Sequence, residues 1–202
     1  MKLYKSKKLL NIDNNAKTIK GQKYKVMTAI LYFAPAKISG FNVCPHADDC
    51  ALTCLNTAGR GQMGSVQLGR INKTRWYFLE RHTFMAQLHK EIKRHINRCK
   101  IKGFKPAFRI NGTSDLKVEN MGLIQKYPMA QWYDYTKNPI RMKKFIDGKM
   151  PSNYHLTFSL GSTNKIDAKK VLKLGGSVAT VFRDKKLPKK FMGHKVFNAD
   201  QS

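Results

Sequence analysis

Three of the four cysteines fall within eleven residues, Cys44-Pro-His-Ala-Asp-Asp-Cys50-Ala-Leu-Thr-Cys54. The spacing is C-x5-C-x3-C. Cys50 and Cys54 stand one helical turn apart, so both sulfurs can face one point. Cys44 approaches from the preceding loop. Such an arrangement suits a metal held by thiolates, and two metals compete. Zinc prefers four protein ligands in structural sites, and His46 would complete a Cys3His set. An iron–sulfur cluster on three cysteines leaves one iron open to a small ligand. The plainer alternative is a chance group of buried thiols. Cys99, far along the chain with a spacing that fits neither site, reads as a structural thiol. His46 taken alone reads as a loop histidine.

The elements that would position this loop are legible in outline. Lys25 to Phe33 is a strand, stopped by Ala34-Pro35, and it leads directly into the cysteine loop. From Thr74 to about Lys102, apolar residues recur at three- and four-residue steps, which predicts one long helix closed by Gly103. Strands are then expected at Pro106–Ile110, Gln131–Tyr135, Tyr154–Phe158, Ser177–Phe182 and Lys195–Phe197. Short helices are expected after Pro139 and over Asp167–Leu174. Strands alternating with helices argue for an α/β fold with a parallel sheet. Polar clusters follow three of the strands: Asn111, Ser114 and Asp115; Thr136 and Lys137; Ser159 and Asn164. Sites in parallel α/β folds are built at such strand ends. The same residue types also serve as ordinary turns and helix caps.

The charge points to a class of partner. The 202 residues carry 39 Lys and Arg against 12 acids, a formal net charge of +27. A field of that sign attracts DNA, RNA or an anionic surface. Lys93, Arg94, Arg98, Lys100 and Lys102 form a dense basic run on the predicted long helix and are the expected nucleic-acid contacts. A generally basic, solvated surface is the alternative. The interleaved aromatics, Tyr133 and Tyr135 among them, fit strand or helix periodicity and are expected in the core. No helix-turn-helix, RNP or zinc-finger pattern supports sequence-specific reading. No G-x-S-x-G, H-E-x-x-H or P-loop pattern supports hydrolysis. No apolar run is long enough to span a membrane, and the N-terminus lacks the apolar core of a signal peptide. A cytoplasmic, reducing location is expected, with thiols rather than disulfides. Residues 1–24 read as a basic N-terminal arm and 25–202 as a single α/β domain.

Several segments together resemble the phage gene product 88 family. They are Ser39-Gly-Phe-Asn-Val-Cys-Pro-His46, Cys54-Leu-Asn-Thr-Ala-Gly-Arg60, Arg70-Ile-Asn-Lys-Thr74, Arg109-Ile-Asn-Gly-Thr-Ser-Asp115, Tyr133-Asp-Tyr-Thr-Lys137 and Leu156-Thr-Phe-Ser159. The resemblance implies a phage protein acting in the host cytoplasm. The strand, three-cysteine loop and successive βα units more distantly resemble the radical S-adenosylmethionine superfamily, in particular small phage proteins related to spore photoproduct lyase. That superfamily usually spaces its cysteines C-x3-C-x2-C with an aromatic before the last, where Thr53 stands here. This resemblance implies a partial (β/α)6 barrel of TIM type. It implies a 4Fe–4S cluster on Cys44, Cys50 and Cys54, bound S-adenosylmethionine and an electron donor. By position, Ser114 and Asp115 would meet the methionine amino group. Ser159 and Asn164 would meet its carboxylate or the ribose. Lys137 would pair with a carboxylate or a substrate phosphate. The segment from Lys195 to Asp200 resembles a point where the family continues, which implies that the last barrel element is missing.

Overall fold

The computed structural model describes residues 4–12, 16–51, 54–184 and 186–199. Thr53 and Asp200 lie outside them. The main sheet has six strands, and their order in space is their order in the chain. Leu10–Ile12 (β1) runs antiparallel to Val26–Leu31 (β2), with Leu10 opposite Leu31. Between them lies the short helix Ala16–Lys20 (α1). From β2 onward every neighbour is parallel: Lys105–Arg109 (β3), Gln131–Thr136 (β4), Tyr154–Ser159 (β5) and Val178–Ala179 (β6). The α/β class with a mostly parallel sheet is thus observed.

The crossovers are helical. Gly64–Leu79 (α2) and Arg81–Lys102 (α3) join β2 to β3, and Leu123–Lys126 (α4) joins β3 to β4. Pro139–Ile146 (α5) and Lys165–Lys173 (α6) follow β4 and β5. Asn138 starts α5 by accepting a bond from the Arg141 amide at 3.0 Å, with Pro139 in the first helical position. Gly103 ends α3 in the left-handed conformation, φ 67°, as expected.

One residue of each strand pair faces the helices and its neighbour does not. Phe108, Trp132, Tyr154, Leu156 and Phe158 are buried with Phe84, Leu88 and Ile92 of α3, Met142 of α5 and Val171 of α6. The alternate positions Arg109, Tyr133, Tyr135, Thr157 and Ser159 are half-buried or exposed. This period of two separates a closed apolar face from a more open polar one.

Three expectations are corrected. The single helix from Thr74 to Lys102 is two helices, because Glu80 leaves helical geometry at φ −135°, ψ 59°. The elbow lets Trp76, Tyr77 and Phe84 close around Phe33, with Phe33–Tyr77 centroids 5.3 Å apart. The long strand at Ser177–Phe182 is only Val178–Ala179. The strand at Lys195–Phe197 is instead a small hairpin, Lys190–Phe191 (β7) against His194–Lys195 (β8), outside the main sheet.

The basic N-terminal segment is partly built into the fold. Leu9 and Leu10 are fully buried, and the Glu91 carboxylate accepts both their amides, at 2.9 and 2.8 Å. Lys73 donates to the Leu9 carbonyl at 3.0 Å. Burial pushes the Lys73 ammonium down to about 8, with Glu91 opposing the shift.

Candidate functional site

The chain leaving β2 is stitched to the chain leaving β3. The Gly112 amide donates to the Leu31 carbonyl at 2.9 Å, and the Thr113 hydroxyl to the Phe33 carbonyl at 2.6 Å. The Asp115 amide donates to the Val43 carbonyl at 2.8 Å. Gly112 is required at this contact, since a Cβ there would stand 2.5 Å from the Tyr32 ring and 2.8 Å from the Leu31 carbonyl oxygen. The stitching delivers Cys44 beside the β3 end, where its sulfur lies 3.7 Å from the Thr113 carbonyl.

Cys44, Cys50 and Cys54 line one cavity of about 170 Å³ at the carboxyl ends of the parallel strands. His46 lines it as well. So do Arg109 and the Asn111–Asp115 turn, Tyr135, Thr136 and Lys137, and Ser159. Cys50 is exposed, while Cys44 and Cys54 are half-buried. Burial pushes the Cys44 thiol up to about 11, and nearby Cys54, Asp115 and Cys50 add to the shift. Cys54 is raised by burial too, with Cys50 contributing and Arg70 opposing. The sulfurs are therefore close enough to disfavour one another's ionisation. Among the described residues, no three His, Cys, Asp or Glu side chains are already gathered as a metal set.

The polar residues expected at the strand ends have different duties. Ser114 donates to Asn111 Oδ1 at 2.7 Å and so stabilises its own turn. Asp115 lines the cavity, yet both its oxygens are engaged. Oδ1 pairs with Arg141 Nη1 at 2.7 Å, and Oδ2 accepts from the Thr136 hydroxyl at 2.9 Å and the Lys137 amide at 3.0 Å. Lys137 extends its ammonium over Gly161, where a Cβ would collide with it. Asn164 does not line the cavity. It braces the turn after β5, accepting from the Gly161 amide at 2.8 Å and donating to the Ser159 carbonyl at 3.0 Å.

Behind this wall lies a buried polar network. Arg141, 2% exposed in its side chain, also meets Glu119 at 2.8 Å and the Tyr154 hydroxyl. Tyr154 and Asn111 both donate to Asp134. Burial opposes the charge on Arg141, but Tyr154, Glu119 and Asp134 outweigh it and hold the guanidinium protonated.

The basic run of α3 is elsewhere. Lys93, Arg94, Lys100 and Lys102 are exposed and Arg98 is half-buried. The helix ends at Gly103 and passes straight into the start of β3, where the Lys105 amide donates to the Lys25 carbonyl at 2.7 Å. That is the amino end of the sheet, opposite the cavity. Cys99 is buried on the inner side of α3, its sulfur 3.5 Å from His95 Nε2.

The expectation that Tyr135 lies in the core is corrected, since it is exposed and lines the cavity, and two Arg–Tyr pairs near it were not anticipated. The Arg109 guanidinium stands 4.7 Å from the Tyr135 ring centroid, and the Arg70 guanidinium 5.0 Å from that of Tyr32. The signal for the first was present. In β3 and β4 the period of two sets Arg109, Tyr133 and Tyr135 opposite the buried Phe108, Trp132 and Asp134.

The mostly parallel α/β sheet thus carries a cysteine-walled cavity at its strand carboxyl ends, the place where parallel α/β folds build their sites. The chain belongs to the gene product 88 family, whose model matches residues 4–201. No curated protein and no solved structure matches it. Among the described residues no helix is long and apolar enough to cross a membrane.

Proposed function

We propose that this is an iron–sulfur protein of radical S-adenosylmethionine type, acting on a nucleic acid or nucleotide in the host cytoplasm. One observation carries the reading: the three cysteines of a single loop and the polar ends of β3, β4 and β5 line the same cavity. Three thiol donors suit iron or zinc over harder cations. Held by Cys44, Cys50 and Cys54, a 4Fe–4S cluster would keep one iron open to a small ligand. Five parallel strands in chain order also suit an open, partial (β/α)6 barrel.

The bound cluster and S-adenosylmethionine would supply the one-electron chemistry, fed by an external electron donor. The chain's own residues bind and orient. Arg109 and Lys137 face the cavity as cations for a carboxylate or phosphate. Asp115, on the same wall, is held in place by Arg141, Thr136 and the Lys137 amide.

A second reading, structural zinc in a non-catalytic nucleic-acid-binding protein, is favoured by His46 on the same cavity wall. Anaerobic purification with absorption spectroscopy and iron, sulfide and zinc analysis decides between them. A brown protein with about four irons per chain, whose reduced form cleaves S-adenosylmethionine, supports the first reading. Cys50→Ala should abolish that cleavage, and wild-type activity in this variant overturns it. A colourless protein with about one zinc supports the second.

A further inference from the structure

Two cations, Arg109 and Lys137, line the cavity. Among the described residues, neither Arg109 nor Lys137 pairs with a carboxylate. The nearest acid, Asp115, is taken by Arg141, Thr136 and the Lys137 amide. The site therefore favours an anion.

A flat surface stands beside it. Tyr135 is 36% exposed at the end of β4, with Arg109 stacked over its ring. The adjoining Tyr133 is held down on the same face by its hydrogen bond to Thr28. Aromatic rings and guanidinium planes next to cations are how proteins hold unpaired bases, because every base offers a π face and every nucleotide a phosphate. A duplex about 20 Å across has no access to a cavity of about 170 Å³, whereas one base does.

We infer that Arg109, Tyr135 and Lys137 form a recognition site for a single unpaired nucleotide. Its base stacks on the Arg109–Tyr135 pair and its phosphate meets Lys137. This deepens the function proposed above and rests on it for the chemistry that follows binding. The binding itself requires no metal. The basic run of α3, which does not line the cavity, adds only general attraction to polyanions.

The test is fluorescence anisotropy on the full chain with labelled oligodeoxythymidylate, a matched duplex and thymidine monophosphate as competitor. Each probe is measured on metal-free and iron-reconstituted protein across a salt series. The wild type should prefer the single strand. Tyr135→Ala should weaken single-strand binding about tenfold with an unchanged salt slope, and Tyr135→Phe should restore it. Lys137→Gln should lower the slope of log K against log salt by about 0.7. A Lys93→Gln/Arg94→Gln variant should weaken strand and duplex alike and keep the preference. Competition by the monophosphate identifies a free nucleotide as the source, and its absence identifies a strand; either agrees with the site.

Equal binding of duplex and strand, or Tyr135→Ala with wild-type affinity, overturns the inference. Tyr135-dependent binding by a protein that takes up no iron would remove the proposed chemistry and leave the nucleotide site standing. An iron-loaded protein indifferent to Tyr135 would do the reverse.

Discussion

Two arginines within reach of the same strand ends live in opposite electrostatic surroundings. Arg141, behind the sheet, is almost fully buried and surrounded by Asp115, Glu119, Tyr154 and Asp134. Arg109, in front, faces the cavity with a tyrosine ring and the Asn111 carbonyl as partners. A buried charge survives only where it is paired and hydrogen-bonded. The first region therefore holds loops in place, and its acids are not free for a ligand. In the second region, Arg109 makes no ion pair among the described residues, and its charge is left for something that arrives. Asp115 belongs to both. It faces the cavity, but its position is dictated from behind.

Breaking the rear network should give the largest effect. Arg141→Met would strand the buried Asp134 and the half-buried Asp115 and Glu119 without their counter-ion. A loss of about 3–5 kcal/mol is expected from denaturant titration. A loss below about 1 kcal/mol would mean that the two regions differ less than their geometry suggests.

Asp134 sharpens the comparison through pH. Burial pushes its carboxyl up to about 6, with Arg141 and Arg109 opposing. Folding thus favours its protonated form. The stability this contributes is complete below the unfolded value near 3.9 and is lost as pH rises through about 6. Asp134→Asn, neutral at every pH, should gain about 2 kcal/mol relative to the wild type between roughly pH 4 and pH 7. A constant difference across that range would show Asp134 ionised throughout, with Arg141 as its effective counter-ion.

The sequence exposed the front region better than the rear. The cysteine loop, the polar strand ends and the order of β2 to β5 follow from local patterns. A short apolar strand flanked by turn residues leaves few alternatives. The network around Arg141 was not legible, because its members come from four separate elements and only the fold brings them together. Arg141 itself reads as one more charge on a basic helix. The break at Glu80 was equally hidden. Helical periodicity continues through it, and what bends the chain there is the packing of Phe33 against Tyr77 and Phe84. The first turns of α2 were missed because Gly64 and Gly69 are poor helix formers. β1 was missed because its three residues follow a lysine-rich stretch, and its anchor, Glu91, is 81 residues away from Leu10.

Two glycines carry the comparison down to its smallest effect. Gly112 and Gly161 both stand at strand ends, and neither needs a left-handed backbone. Alanine at Gly112 would meet the Leu31 carbonyl oxygen and the Tyr32 ring, and the β2 backbone cannot retreat. Such overpacking should cost about 1–3 kcal/mol by thermal or denaturant unfolding. Alanine at Gly161 would meet only the tip of Lys137. A lysine ammonium swings aside at little cost, so stability should change by less than about 0.5 kcal/mol. The ammonium would nevertheless be displaced from the cavity wall. Single-strand binding by Gly161→Ala should therefore approach that of Lys137→Gln while its unfolding curve overlays the wild type. Wild-type binding in Gly161→Ala would mean that Lys137 works from any position near the cavity, as diffuse charge and not as a placed phosphate contact.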